Sequence, residues 1–305
     1  GYDILAYVIE VVSGQSYASF IRERILDPLE MDSTTAEVSE LGQRAQGYTR
    51  LFGFPLAVKQ VIREYEIPAG YILSNAEDMA KYAVAMKRLV RKIEPGLLSK
   101  EMSAQMFTPG IADYGFGWWI SDNGARIYHG GANETYHAEV VLYPNLDRAI
   151  VYFINEGYYL EHTISIEQLK VGINDIMQGS TPPPVSRGWS VRWVGWGIGG
   201  MVAGLLVLHT LNFLALRGWR KRVAAYKPRR LAFDVAISFI IPTVILLVIF
   251  SQMKAYFGNR FNIVTTLYMM RFTLPDVFIL MLVGSLPDYL QGIFKVAALL
   301  NKKTR

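Results

Sequence analysis

Residues 114–154, YGFGWWISDNGARIYHGGANETYHAEVVLYPNLDRAIVYFI, decide the fold. Aromatic and β-branched residues dominate four runs in this stretch, with glycine, asparagine and aspartate between them. Runs of this composition bounded by turn-forming residues are typical of strands, here 114–120, 126–129, 136–143 and 148–154. The sequence Pro-Asn-Leu-Asp at 144–147 favours a turn between two antiparallel strands. The stretch therefore predicts an antiparallel meander.

Helices are predicted on both sides of the meander. Apolar residues recur at helical spacing over 3–13, and Gly14 is a suitable residue to end that helix. Further helices are predicted at 17–26, 75–91, 99–106 and 162–177. Helices that precede and follow an antiparallel sheet are typical of the α+β class. We therefore expect an α+β domain with helices packed on an antiparallel sheet.

The chain of 305 residues consists of two parts with opposite net charge. Residues 1–179 hold 15 basic and 23 acidic residues, a net charge of −8, whereas residues 180–305 hold 16 basic and three acidic residues, a net charge of +13. The composition excludes disordered, collagen-like and coiled-coil chains. The chain has no cysteine, so disulfides, zinc–thiolate sites and thiol nucleophiles are excluded.

Three long apolar segments follow residue 192, and they predict transmembrane helices at about 193–216, 231–253 and 274–300. The segment Thr181-Pro182-Pro183-Pro184 predicts a stiff, extended linker. Trp189, Trp193 and Trp196 are typical of an aromatic belt at a membrane interface. We therefore predict a soluble domain at 1–179, a linker at 180–192 and a transmembrane region at 193–305.

Basic residues predict the orientation of these spans. Seven of them, and no acid, lie in the loop 217–230, and three more lie in the tail after residue 300. Because basic loops stay on the cytoplasmic side, this loop and the C-terminus are expected in the cytoplasm and the acidic domain outside the cell membrane. The basic excess adjoins apolar runs, so the lipid bilayer explains it better than nucleic acid does.

Two acids, Asp276 and Asp288, interrupt the third apolar segment. Acids inside a membrane span often belong to proton relays or other functional sites. The alternative is that both lie near an interface or face other helices. The sequence leaves both interpretations open.

Of the four histidines, His129 is the best candidate for chemistry. It ends a predicted strand and is followed by Gly130, Gly131 and Ala132. Glycines after a strand allow a ligand or another backbone to approach closely, and an imidazole beside them can serve as acid, base or electrophile. The alternative is an ordinary glycine-rich turn.

Together with several other short motifs, this histidine and its glycines make the sequence resemble the serine β-lactamase-related family of penicillin-binding-protein-like hydrolases. The resemblance covers roughly residues 1–155 and follows the family's motif order. Its motifs are Gly1-Tyr2-Asp3-Ile4-Leu5, Val12-Ser13-Gly14, Ile25-Leu26-Asp27-Pro28-Leu29-Glu30-Met31, Pro68-Ala69-Gly70, Ala76-Glu77-Asp78-Met79-Ala80, Tyr114-Gly115-Phe116-Gly117-Trp118 and His129-Gly130-Gly131. Each motif is short, and their order makes the resemblance specific.

The resemblance implies acyl-serine chemistry on an amide or ester. In the family, a Ser-x-x-Lys motif supplies the nucleophile and its activating amine, and a Tyr-x-Asn motif assists proton transfer. By position, His129 and Gly131 correspond to the family's third element, the strand that binds substrate. The N–H of Ala132 then corresponds to an oxyanion donor. The resemblance implies no metal and no organic cofactor.

This chain departs from the family because both upstream motifs would precede Gly1. We therefore expect a C-terminal fragment. Two similar strings, Ser251-Gln252-Met253-Lys254 and Tyr143-Pro144-Asn145, are rejected because they lie in a membrane span and in a turn of the meander. Glu30, Tyr71 and Thr135 stand where the family often has glycine, and Thr135 borders the expected pocket.

Two main functional hypotheses follow. The first is the C-terminal portion of a membrane-anchored serine hydrolase that acts on a small molecule or peptide, such as a D-amino-acid peptide of the cell wall, and is inactive as this fragment. The second is a non-catalytic, membrane-anchored protein that binds peptide or peptidoglycan. A channel or sensor built from the three spans is disfavoured because the spans hold few polar residues.

Overall fold

The structure is a computed structural model that describes residues 1–37, 39, 44–60, 62, 64–93, 96–184, 191–257 and 262–300. Residues 185–190 of the predicted linker, with Trp189, lie outside the described residues, as does the basic tail at 301–305. The chain divides into two compact units. Unit 1 comprises Gly1–Tyr48, Ala57–Gly157 and Ser165–Pro184, and unit 2 comprises Thr49–Leu56, Tyr158–Ile164 and Val185–Arg305.

The secondary structure is mixed. The helices are α1 Tyr2–Ser13, α2 Tyr17–Ile21, α3 Ile67–Gly70, α4 Ala76–Val90, α5 Lys100–Met106, α6 Tyr159–Glu161, α7 Glu167–Met177, α8 Val191–Leu216, α9 Trp219–Val223, α10 Pro228–Phe257, α11 Ile263–Thr273 and α12 Pro275–Leu300. The strands are β1 Gly47–Leu51, β2 Phe54–Val58, β3 Trp119–Ser121, β4 Arg126–Ala132, β5 His137–Tyr143 and β6 Arg148–Ile154. The predicted α+β class is confirmed.

The predicted meander is a four-stranded antiparallel sheet with strand order β3-β4-β5-β6. The expected first strand at 114–120 is wrong in extent, because Gly117 takes a φ of +84° and the chain bends before β3 begins at Trp119. Tyr114 lies outside the named strands and pairs with Trp119 through an isolated antiparallel bridge. The short β1–β2 pair was not predicted.

Helix α4 covers one face of this sheet. Its residues Ala83, Met86 and Leu89 are buried in one cluster with Trp118 and with apolar residues of β3, β4 and β5. Asn75 caps the helix by accepting a hydrogen bond from the Asp78 N–H at 2.8 Å. This packing orients the sheet so that the odd-numbered residues of β4, His129 among them, share the face that α4 covers.

Three helices of unit 2, α8, α10 and α12, are long and apolar enough to cross a membrane. The predicted long apolar helices are therefore present, although α10 extends beyond the predicted 231–253 at both ends. Pro242 and Pro287 lie inside continuous helices. Helix α12 packs against both α8 and α10, and the short helix α11 before it was not predicted.

The turn between β1 and β2 packs within unit 2. A Cβ on Gly195 of α8 would lie 2.2 Å from the backbone nitrogen of Gly53, so the two backbones are in direct contact. The Thr49 hydroxyl donates to the Phe272 carbonyl at 2.6 Å. The absence of a side chain at Gly195 therefore permits the β1–β2 turn to approach α8 closely.

Helix α1 keeps much of its apolar surface exposed. Val8 is 48% exposed and Val12 is 81% exposed, and Ile4, Leu5 and Val11 lie between these values. Only Ala6 of this helix is buried. The α1 face is thus an apolar surface that the described part of the chain leaves uncovered.

Candidate active site

The end of β4 forms an open edge in unit 1. Pairing with β3 ends at Trp119 and Tyr128, whereas pairing with β5 continues to Ala132 and His137. Residues 129–132 are therefore paired on one side only among the strands that the structure describes. A substrate backbone or a polar group can reach this strand from the other side.

Backbone alternation directs two N–H groups to that open edge. The Asn133 N–H donates to the Tyr136 carbonyl at 3.0 Å, which fixes the hydrogen-bonding phase of the β4–β5 pair. Because antiparallel strands alternate between bonded and non-bonded pairs, Gly130 and Ala132 direct their N–H and C=O groups away from β5. This geometry suits the oxyanion role that the resemblance implies for Ala132.

In the described part of the chain, one side-chain hydrogen bond holds His129. Its Nδ1 lies 2.5 Å from the carbonyl oxygen of Gly117. A carbonyl oxygen only accepts, so Nδ1 carries a proton and donates, and Nε2 is the ring nitrogen that this hydrogen bond does not use. The bend at Gly117 thus orients the imidazole and leaves Nε2 as the nitrogen that can accept or return a proton.

Two tyrosines accompany this histidine. The hydroxyls of Tyr2 and Tyr114 lie 2.6 Å apart, and both rings approach the His129 ring, with centroids 6.4 Å and 6.5 Å away. Burial and the hydrogen bond to Tyr2 raise the pKa of Tyr114 to about 12. Tyr114 is therefore a hydrogen-bonding group at neutral pH and not a phenolate base. The sequence motifs contain both tyrosines, but nothing in their spacing predicted that they meet.

The two glycines after His129 have different surroundings. A Cβ on Gly130 would lie 3.1 Å from two side-chain atoms of Glu139, whereas a Cβ on Gly131 would meet nothing within 4 Å. Gly131 shares the face of His129, and Gly130 shares the opposite face with Glu139. Gly131 therefore borders open space at the candidate site, and Gly130 accommodates a buried carboxylate behind it.

That carboxylate is the centre of a charged cluster. The Lys170 ammonium lies 2.8 Å from Glu139, the Tyr152 hydroxyl donates to it at 2.7 Å, and His137 Nε2 lies 3.8 Å away. Burial raises the pKa of Glu139, but contacts with His137, Lys170 and Tyr152 outweigh burial and lower the pKa to about 2. Glu139 is therefore ionised, and the cluster anchors β5 behind the candidate site.

The turn after Ala132 is fixed by a buried network. Glu134 accepts hydrogen bonds from Gln60 and from the Tyr71 hydroxyl, the latter at 3.0 Å. The Thr135 hydroxyl donates to Gln60 at 3.2 Å. Two departures from the family pattern, Tyr71 and Thr135, therefore meet in one network, and their side chains hold the turn in place of the family's glycines.

The other candidates have contacts of their own or lie outside the described side chains. Tyr143 is buried and donates to Asn174 at 3.1 Å, and Ser251 lies within α10, where its hydroxyl donates to the Val248 carbonyl. His137 belongs to the Glu139 cluster and His209 to α8, while the side chain of His162 lies outside the described residues. In the described part of the chain, no group of three histidine or acidic residues is arranged to hold a metal ion.

Comparisons with known proteins identify the family of the chain. A family model described as beta-lactamase matches residues 1–170. Protein flp of Staphylococcus aureus (strain MW2) is 23% identical over 231 residues, which cover 72% of this chain and 44% of that protein. Protein flp of strain NCTC 8325 / PS 47 is 22% identical over 279 residues, covering 87% of this chain and 54% of that protein. The second alignment is longer than the family-model match and therefore extends beyond residue 170.

Two further comparisons cover a smaller share of the chain. Unguisins hydrolase ungD' of Aspergillus campestris is 29% identical over 172 residues, which cover 51% of this chain and 32% of that protein. The octameric penicillin-binding protein homologue from Pyrococcus abyssi has a TM-score of 0.48 and 24% identity, covering 60% of this chain and 42% of that chain. The chain spans about half the length, or less, of the curated relatives it matches. Since the family model matches more than half of its residues, the chain belongs to the beta-lactamase family.

Proposed function

We propose that this chain is the C-terminal portion of a membrane-anchored serine hydrolase that cleaves an amide or ester by acyl-serine chemistry. The observation that carries the proposal is the open end of β4, where His129 Nε2 and the Ala132 N–H lie on a strand edge. In this proposal the Ala132 N–H stabilises the oxyanion, and His129 exchanges a proton during acyl transfer.

The substrate proposed is a small molecule or a peptide, such as a D-amino-acid peptide of the cell wall. Gly130 and Gly131 have no side chains, so an extended backbone can pair with the open edge of β4. A peptide is the substrate class that uses such an edge best, because its own N–H and C=O groups can complete the ladder. No metal or organic cofactor is part of the proposal.

The proposed setting is the cell membrane, with α8, α10 and α12 as its three spans. The seven basic residues of 217–230 support a cytoplasmic loop between the first two spans and an extracytoplasmic unit 1. With three spans, this orientation also puts the C-terminus in the cytoplasm.

The test is covalent labelling by a fluorophosphonate and by a β-lactam. The protein that includes the sequence before Gly1 is expected to react, and the 305-residue chain alone is expected to stay unlabelled because the family's Ser-x-x-Lys would be missing. Labelling of the 305-residue chain that disappears when one of its own serines is replaced would contradict the proposal. Failure of the longer protein to react, together with peptidoglycan binding, would favour the non-catalytic binding protein.

A further inference from the structure

Three acids lie in the apolar helices of unit 2, and two of them accept hydrogen bonds from neighbouring side chains. Asp234 accepts from the Trp219 indole at 2.8 Å and lies 3.3 Å from the Lys295 ammonium. Asp276 is completely buried and accepts from the Tyr158 hydroxyl at 2.8 Å. Both therefore have the contacts expected of acids that stabilise a helix bundle.

The third acid, Asp288, is different. Within the described residues its polar contact is the His209 ring, whose Nδ1 lies 3.5 Å from Asp288 Oδ1. His209 is 6% exposed, and neither of its ring nitrogens has a hydrogen-bond partner in the described chain. A buried polar atom without a partner costs about 1 to 3 kcal/mol of folding free energy, so this pair calls for an explanation beyond packing.

The pair borders a cavity among α8, α10 and α12. The cavity has a volume of about 450 Å³, within the range of about 300–1,000 Å³ that is usual for small-ligand pockets. Its polar lining comes from His209, Asn212 and Asp288. The rest of the lining is apolar and consists of Leu205, Leu208, Ile241, Ile245, Ile249, Leu280, Met281 and Gly284.

We propose that this cavity binds an amphiphile with a single apolar chain and a head group that donates a hydrogen bond, as an alcohol does. The aliphatic lining fits a hydrocarbon chain, and its few polar groups lie together. A hydroxyl can donate a hydrogen bond to the Asp288 carboxylate and accept one from a ring N–H of His209, so an alcohol head group can partner both side chains. The proposal concerns unit 2 alone and does not depend on acyl transfer at His129.

The experiment uses the whole protein in phosphatidylcholine nanodiscs and two photoreactive probes. One probe is a diazirine-bearing dodecanol, and the other is its methyl ether, which keeps the oxygen but has no donor. We expect the alcohol to label peptides of α8 and α12 at least about tenfold more strongly than the ether, the size of one hydrogen bond to a charged group. Equal labelling by the two probes would overturn the proposal.

Three variants sharpen the result. His209→Leu should cut alcohol labelling about tenfold while keeping or raising the melting temperature, because the orphaned nitrogens are removed. Gly284→Met should block labelling by filling the cavity, since a Cβ there lies 3.7 Å from Leu205 and has room to extend. Thr210→Val, on the exposed side of α8, is the matched control and should change nothing.

Unchanged labelling in a folded His209→Leu protein would contradict the proposal. If that variant does not fold, Gly284→Met decides alone, because it leaves His209 and Asp288 in place. Undiminished alcohol labelling of a folded Gly284→Met protein would place the probe outside the cavity.

Discussion

At the scale of single residues, we expect substitutions of the two glycines after His129 to have different effects, one on activity and the other on stability. Gly131→Leu should leave the melting temperature nearly unchanged, because its Cβ meets nothing within 4 Å, but should abolish most turnover by filling the candidate site. Gly130→Leu should instead lower the melting temperature, because its side chain collides with Glu139. The measurement is a melting curve and a turnover rate for each variant of the full-length protein. A Gly131→Leu protein with normal turnover would show that this face is not the substrate site.

The lowered pKa of Glu139 predicts that the folded protein loses stability in acid. Its pKa of about 2 in the folded protein lies below the ordinary value of 4.5, so its ionisation stabilises the folded state at neutral pH. That stabilisation is complete above about pH 5 and is lost as the pH falls from about 4.5 to 2, a contribution on the order of 3 kcal/mol.

Chemical unfolding of the full-length protein at several pH values tests this prediction. Glu139→Gln should be less stable than the wild type at pH 7, and the difference should shrink towards pH 2. Asp147→Asn is the control, because that carboxylate pairs with Lys87 and Arg91 on the surface and 60% of its side chain is exposed. A stability difference between Glu139→Gln and the wild type that does not vary with pH would contradict the account.

At the scale of elements, the turn between β1 and β2 depends on a glycine of α8. Gly195→Val should lower the melting temperature of unit 2, because its Cβ would lie 2.2 Å from the Gly53 nitrogen and backbone cannot yield as a side chain can. Gly197→Val, two residues along the same helix, is the matched control, because a Cβ there meets nothing within 4 Å. Equal melting temperatures for the two variants would show that the contact is not important for stability.

Local sequence patterns predicted the helices and strands better than they predicted which residues contact one another. The meander and the three apolar helices follow from periodicity and turn residues, which act over a few positions. The contact between Tyr2 and Tyr114 joins residues 112 positions apart, and the contact between Gly53 and Gly195 also depends on chain packing. The β1–β2 pair escaped prediction because Phe54-Pro55-Leu56-Ala57-Val58 does not alternate apolar and polar residues as a half-buried strand does.

At the candidate site, likewise, the residues were predicted from the sequence but their contacts were not. His129 and its glycines were predicted from the end of a strand, whereas the hydrogen bond that orients the imidazole comes from the bend at Gly117. The roles of Tyr71 and Thr135 could not be inferred from their spacing, because Gln60 and Glu134 join them only in the folded chain.

At the scale of the whole molecule, the basic loop predicts a topology. Both Ala224 and Asn123 are exposed. The chain has no cysteine of its own, so an introduced cysteine is the one thiol in these 305 residues that a reagent can label. In intact cells Asn123→Cys should react with a membrane-impermeant thiol reagent, and Ala224→Cys should be protected until the membrane is permeabilised. Labelling of position 224 and protection of position 123 would reverse the proposed orientation.

The most direct test of the proposed function is the acylation rate of the full-length protein carrying His129→Ala. Loss of a general acid–base or electrostatic group costs about 10²- to 10⁴-fold in rate, and the melting temperature should change little because the ring is only half-buried. His137→Ala and His162→Ala are the controls, and their turnover should stay within about threefold, a barrier change below about 1 kcal/mol. A wild-type acylation rate in folded His129→Ala, or a loss of rate that unfolding accounts for, would contradict the role proposed for this histidine.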